Sequence, residues 1–150
     1  MRITRRRDGA FNVKLPDAER ELVIGLVAQL RELLVADDAP GLERLFPPAY
    51  ADDEEREREY RSLVHDELLE KRFAALDIVE ATVQEPRIDE TQLTAWMGAI
   101  NDVRLVLGTI LDVSEDMDDI DPGDPRAGSF AVYGYLTHLL AQIVSALADW

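Results

Sequence analysis

The stretch from Leu93 to Leu111 constrains the fold of this chain most, because its apolar residues recur at intervals of three and four. That spacing places them on one face of a helix. The face consists of Leu93, Trp96, Met97, Ile100, Val103, Leu107, Ile110 and Leu111. A second row follows another side of the same helix and consists of Gly98, Asn101, Leu105 and Gly108. The sequence therefore predicts a central helix that packs against neighbours on two sides.

Three further segments carry helical periodicity, at residues 22–35, 54–83 and 130–147. Only residues 2–15 alternate in the manner of strands, with an Asp8-Gly9 pair at the expected turn. Pro16 is expected to end the hairpin, and Asp17 is expected to be the N-cap of the first helix. Asp89 is expected to cap the central helix. We therefore expect residues 1–150 to form a single-domain, all-α bundle of five to six helices with a small N-terminal β-hairpin over residues 2–15.

The connections between these elements give more local expectations. Gly41 to Phe46 is expected to form one short helical turn, closed by Pro47-Pro48. A break or bend is expected near His65-Asp66, because an uninterrupted helix of thirty residues would be unusually long for a globular protein. Residues 84–87 are expected to form a loop. Residues 112–128, which contain seven acids and end in proline and glycine, are expected to form an acidic loop.

The chain carries a formal net charge of −15 and contains no cysteine. The absence of cysteine excludes disulfides, thiolate metal sites and a thiol switch within the chain. The negative field repels phosphate, so DNA binding depends on a local basic patch and is expected to be weak at most. No signal sequence and no continuous apolar run of membrane-spanning length is seen, so we expect a cytoplasmic protein without a membrane contact.

The sequence shows no motif for catalysis or for binding a metal or cofactor. Residues 112–128 do not follow the register of a calcium-binding EF-hand, and His65 and His138 lack the neighbouring ligands that zinc requires. No Glu-x-x-His motif, phosphate-binding glycine loop or nucleophile elbow occurs. We therefore expect a protein that is not an enzyme and uses neither metal nor cofactor.

Two groups of residues are candidates for function. The first is a basic cluster near the N-terminus, interpreted as a partner-binding surface, and consists of Arg5, Arg6, Arg7 and Lys14. The second lies on the central helix and is predicted to form a structural polar network or a binding site; it consists of Trp96, Asn101, Asp102, Arg104 and Gly108. Gly98 and Gly108 each sacrifice up to about 1 kcal/mol of helix propensity relative to alanine, so close backbone packing is expected at both.

The chain resembles the actinobacterial AosR-like family, formerly catalogued as a domain of unknown function. Four segments carry the resemblance: Arg5-Arg6-Arg7 before a strand with Phe11, the segment 45–50 (LFPPAY), the core from Trp96 to Thr109, and the trailing Ser114-Glu115-Asp116. The resemblance implies a cytoplasmic transcriptional regulator of the oxidative-stress and sulfur-assimilation response, with a sigma factor or polymerase as protein partner. It also implies a cysteine-pair switch, which this cysteine-free chain does not have.

Two hypotheses about function follow. In the first, the protein is a transcription-associated regulator whose basic hairpin meets a sigma factor, polymerase or promoter DNA. In the second, it is a non-catalytic adaptor or a homodimeric interaction protein without nucleic-acid contact. The surroundings of Arg5, Arg6 and Arg7 discriminate between them: an open cluster favours the regulator, whereas pairing with acids of the same fold favours the adaptor.

Overall fold

The computed structural model describes residues 2–36, 45, 50, 52–111 and 123–148. Within this part of the chain the elements follow the order β1 (Ile3–Arg5), β2 (Phe11–Val13), α1 (Asp17–Ala36), α2 (Glu54–Thr82), β3 (Arg87–Ile88), α3 (Glu90–Ile110) and α4 (Ala127–Ala148). The described residues are 75% helical, which confirms the predicted predominance of helix. Four helices lie among them. The helical turn expected at residues 41–46 falls outside the described residues apart from Leu45, so the predicted count of five to six is not confirmed.

The expected N-terminal hairpin is present, and a third strand extends it. β1 pairs antiparallel with β2, with Thr4 opposite Asn12, and β2 pairs antiparallel with β3, with Phe11 opposite Ile88. Gly9 takes a positive φ of 88° at the turn, a conformation that glycine adopts without strain. The expectation of a loop over residues 84–87 is therefore wrong at Arg87. The backbone of this connection continues the ladder, since the Val13 N–H donates to the Pro86 carbonyl at 2.8 Å.

The second helix runs unbroken from Glu54 to Thr82, so the break expected at His65-Asp66 is wrong. No glycine or proline lies in this range to interrupt it. Asp53 caps its start by accepting from the Arg56 N–H, and pairs such as Glu57 and Arg61, one turn apart, stabilise its exposed surface. Only its last turns are buried, through Leu76, Val79 and Thr82.

The helix α3 occupies the centre of the bundle and packs against α1, α2 and α4. Asp89 forms a capping box with Gln92 at its start, as the sequence predicts for the N-cap. Trp96 is completely buried, as are Leu93 and Ala99. The core formed around this helix also takes in β1 and β2 through Ile3 and Phe11, so sheet and bundle share one core.

The fourth helix begins earlier than the sequence suggests. Residues 112–122 of the predicted acidic loop lie outside the described residues, and residues 123–126 form a turn. The carboxylate of Asp124 accepts from the backbone N–H of Arg126, and the backbone carbonyl of Asp124 accepts from the N–H of Ala127. The helix therefore starts at Ala127, and the expectation of a loop through residue 128 is wrong for its last two positions.

Candidate interaction surfaces

The arginines of the hairpin have different surroundings. The guanidinium of Arg5 lies 4.8 Å from the centre of the Phe11 ring and donates to the Leu147 carbonyl at 3.0 Å, near the C-terminal end of α4. A cation at this end of a helix is stabilised by the helix dipole. Arg5 therefore joins the hairpin to the last helix.

Arg6 is bound within the hairpin itself. It pairs with Asp8 at 3.2 Å and donates to the Asn12 side chain at 3.2 Å. The Ala10 N–H, with a further contribution from Arg6, holds the pKa of Asp8 below its ordinary value. Arg7 and Lys14 are exposed. The structure thus separates the predicted partner-binding cluster into two residues with contacts inside the fold and two that face solvent.

Arg20 is a buried cation that holds the sheet against the helices. It is 7% exposed and lies in the first turns of α1. Its guanidinium donates to the carbonyls of Val13 at 2.8 Å, Leu15 at 3.0 Å and Glu85 at 3.2 Å, and also to that of Val83. Val83 is the C-cap of α2, where unpaired carbonyls and the helix dipole favour a positive charge. One side chain therefore connects β2, α1 and the segment that leads into β3.

On the side of α3 that faces α2, two polar contacts lie at the edge of the core. The indole N–H of Trp96 donates to the Thr82 hydroxyl at 2.7 Å. The carboxylate of Asp102, only 7% exposed, pairs with the Arg72 guanidinium at 2.5 Å. Burial raises the pKa of Asp102, and the opposing effect of Arg72 is smaller. Arg72 also donates to the Leu45 carbonyl at 2.8 Å, so it holds this buried leucine against the bundle.

On the side that faces α4, Arg104 donates to the Thr137 hydroxyl at 2.8 Å and lies 5.1 Å from the centre of the Tyr133 ring. A Cβ built on Gly108 would lie only 2.9 Å from Tyr133 Cε2, so the ring occupies the space that a side chain would need. The close approach expected at Gly108 is therefore present. At Gly98 a built Cβ meets nothing within 4 Å, so the same expectation is wrong there. Asn101 is half-buried on α3.

A shallow apolar groove lies between α1 and α3. Its lining is apolar except for Gln29, and Ile110 at one end is 54% exposed. Among the residues that the structure describes, no three His, Asp or Glu side chains converge to hold a metal ion. His138 contacts Gln142 at 2.8 Å on the surface of α4, and His65 lies beside Arg61 on α2.

Of the described helices, α4 is the one that is long and apolar enough to span a membrane, by length and composition only. Just 22% of its apolar window is buried inside the protein. The helix thus carries much of its apolar surface on the outside.

Sequence reasoning missed Arg20 and Arg72 as organising residues, although their positions carried a signal. Arg20 precedes Val23 and Val27 at intervals of three and four, and Arg72 precedes Leu76 and Val79 in the same way. Both basic residues therefore lie in register with the buried stripe of their helix. A cation at such a position is wholly or partly removed from water and must find acceptors nearby.

A profile of the family described as "Domain of unknown function (DUF2017)" matches residues 1–147. Proteins of Mycobacterium tuberculosis and Mycobacterium bovis named oxidative stress regulator AosR are 33% identical over 126 residues, covering 72% of this chain and 58% of theirs. A Mycobacterium leprae protein with the same AosR designation is 29% identical over 150 residues, covering 88% of this chain and 68% of its own length.

The chain thus spans between 58% and 68% of the length of these relatives. No solved structure matches it at a significant level. The family profile extends over nearly the whole chain, and the AosR proteins are similar over most of it. The chain therefore belongs to the DUF2017 family, and its predicted AosR-like affiliation is confirmed.

Proposed function

We propose that this protein is a non-catalytic regulator of the oxidative-stress response that acts by contacting another protein. The observation that carries the proposal is the similarity, over most of the chain, to proteins named oxidative stress regulators. In the finer form of the proposal, the partner is a sigma factor or RNA polymerase, and the regulated genes include those of sulfur assimilation.

The hairpin supports a protein contact better than a DNA contact. Arg5 and Arg6 are engaged within the fold, which leaves Arg7 and Lys14 as the exposed cations of the predicted cluster. Two exposed cations neutralise few phosphates, and the net charge of −15 repels the rest of a duplex. An acidic protein surface can instead be shaped to fit a small basic hairpin. This arrangement also favours the adaptor hypothesis over direct promoter recognition, since Arg6 pairs with an acid of its own fold.

The test compares the double variant Arg7→Ala/Lys14→Ala with the control Arg58→Ala, which removes an exposed cation from α2. Each is returned to a deletion strain of the native host, which is then challenged with peroxide while transcripts are measured. We expect the wild type and the control to restore the peroxide response and the double variant to fail. A deletion strain with an unchanged transcriptional response to peroxide would refute the regulator proposal.

The partner is tested with the same variants. After cross-linking in cells, a sigma factor or polymerase subunit should co-purify with the wild type and with Arg58→Ala, and much less with the double variant. Binding of the purified chain to promoter DNA should be weak and strongly dependent on salt, with a dissociation constant of about 10⁻⁴ to 10⁻⁶ M or weaker. Nanomolar, sequence-selective binding at physiological salt would contradict the protein-contact proposal and identify a direct DNA reader.

A further inference from the structure

Two tyrosines make ring contact at the point where the chain enters α2. The ring centroids of Tyr50 and Tyr60 lie 6.2 Å apart, and the rings meet edge to face at an interplanar angle of 77°. Tyr50 is 44% exposed and Tyr60 is half-buried. The structure describes all four tyrosines of the chain, and no other two of them have their rings in contact. Two phenol rings thus lie side by side within reach of solvent.

The start of α2 holds Tyr50 in this position. The backbone N–H of Tyr50 donates to the Glu57 carboxylate at 3.0 Å, and its carbonyl accepts from the Asp53 N–H at 3.2 Å. The Arg56 guanidinium lies 5.9 Å from the centre of the Tyr50 ring, within the range of a cation–π interaction. Since Tyr60 belongs to the same helix, the two rings stay neighbours in the folded protein.

Neighbouring phenols can be joined covalently by one-electron oxidation. We propose that Tyr50 and Tyr60 are a site of oxidative modification, at which one-electron oxidants derived from hydrogen peroxide link the two rings as dityrosine. The inference rests on the proposed role in the oxidative-stress response, since it gives a chain without cysteine a residue pair that can record oxidation.

The reaction removes two electrons and two protons from the pair. Each phenol loses one electron and its hydroxyl proton to become a phenoxyl radical, and the radicals form a C–C bond between the ring carbons next to the hydroxyl groups. The hydrogens on those two carbons then move to the oxygens, which restores both phenols. One hydrogen peroxide takes up the two electrons and two protons and leaves as two water molecules, with a haem peroxidase as the carrier of single electrons.

Two features favour a link within one molecule over a link between molecules. Rings that are already in contact have an effective concentration far above that of a second molecule in dilute solution. Two molecules that each carry a charge of −15 also repel one another. The rings must still move closer for the bond to form, and an exposed side chain such as Tyr50 makes rotamer movements within picoseconds to nanoseconds.

Treatment of the purified chain with hydrogen peroxide and a haem peroxidase tests the inference. Dityrosine is detected by its fluorescence, and tandem mass spectrometry of the digested protein identifies the linked residues. We expect a link between Tyr50 and Tyr60 in the monomer, formed at a rate per molecule that stays constant over a tenfold range of protein concentration. Hydrogen peroxide without peroxidase should leave the chain unlinked, because the removal of single electrons from a phenol then lacks its carrier.

Single substitutions identify the residues that react. Tyr50→Phe and Tyr60→Phe keep the ring but remove the hydroxyl, and each should lower the yield of intramolecular dityrosine about tenfold or more. The matched control Tyr133→Phe removes the hydroxyl of a half-buried tyrosine on α4 and should behave like the wild type. Circular dichroism should be the same for all variants. A wild type that forms no dityrosine, or forms it only between molecules or through Tyr133, would overturn the inference.

The same linked peptide, sought in protein purified from peroxide-treated cells of the native host, tests the modification in its setting. We expect the link between Tyr50 and Tyr60 to appear after peroxide and to be absent before it. Cells whose transcripts respond to peroxide while the protein stays unlinked would overturn this inference and leave the regulator proposal standing. Linked protein in cells whose transcripts respond equally with and without the gene would refute the regulator proposal alone.

Discussion

Arg20 allows the sharpest test of how this fold is held together, by the substitution Arg20→Met. Methionine keeps much of the length and volume of the side chain but removes all of its donors. The carbonyls of Val13, Leu15 and Val83 would then lose their partner in a place that excludes water. A buried polar group left without a partner costs about 1–3 kcal/mol.

Three such carbonyls would add up to roughly 3–9 kcal/mol if they were independent. They share one donor, so their costs are not additive, and the variant also avoids the penalty of burying a cation. We therefore expect the free energy of unfolding to fall by about 3–5 kcal/mol, in line with the loss of other buried charged partners. Domains of this size lose about 2–4 °C of melting temperature per kcal/mol, so the melting temperature should fall by about 6–20 °C.

The control is Arg31→Met on the same helix. Arg31 pairs with Asp77 at 2.7 Å and Glu80 at 3.2 Å, but these carboxylates are exposed. Pairs of this kind contribute about 0–1 kcal/mol. Urea titration followed by circular dichroism at 222 nm measures both variants. If Arg20→Met loses less than about 1 kcal/mol, or no more than Arg31→Met, the assignment of Arg20 as the residue that joins sheet and helices is wrong.

Three further predictions concern the central helix and the chemistry of the chain. Gly98→Ala should raise the free energy of unfolding by about 0.5–1 kcal/mol in urea titration, whereas Gly108→Ala should lower it by about 1–2 kcal/mol because the new methyl group displaces the ring of Tyr133. Burial raises the pKa of the Asp102 carboxyl in the folded state, so the contribution of this group to stability is complete below the unfolded-state pKa and is lost as the pH rises through the folded-state pKa. When the pH is lowered from 7 to 4, the free energy of unfolding should therefore change more favourably for the wild type than for Asp102→Asn. A more favourable change for the variant would contradict the raised pKa of Asp102. Peroxide at concentrations that oxidise thiols should leave the circular dichroism and sedimentation of the purified protein unchanged, because it has no cysteine; a rapid change that a thiol reductant reverses would refute this.

The sequence predicted the elements with strong local signals. The hairpin turn is set by Asp8 and Gly9, the central helix by Asp89 and its apolar repeat, and the helical class by four periodic segments. These features depend on neighbours a few residues away. The third strand could not be predicted in this way, because Arg87 and Ile88 have no strand signal and pair only where Phe11 and Asn12 are brought to them.

The candidate site was predicted less well, because its contacts are made between helices. The predicted polar network placed Asp102 and Arg104 together on the central helix, yet Asp102 pairs with Arg72 on α2, whereas Arg104 contacts Thr137 on α4. Which acid meets which base depends on how the helices are rotated about their axes. The spacing within one helix does not contain that information.

The contact of Arg5 with Leu147 has a consequence for the order of events during synthesis. The two residues are 142 positions apart, and a second contact joins the Arg2 N–H to Gln142 over 140 positions. A ribosome adding about 5–20 residues per second needs roughly 7–30 s to produce the segment between them. During that interval α4 is not yet present to cover β1, so the apolar side chain of Ile3 lacks its final packing in the nascent chain. We expect the arginines beside β1 to discourage aggregation during that interval, because charge beside an uncovered strand edge opposes pairing with another chain.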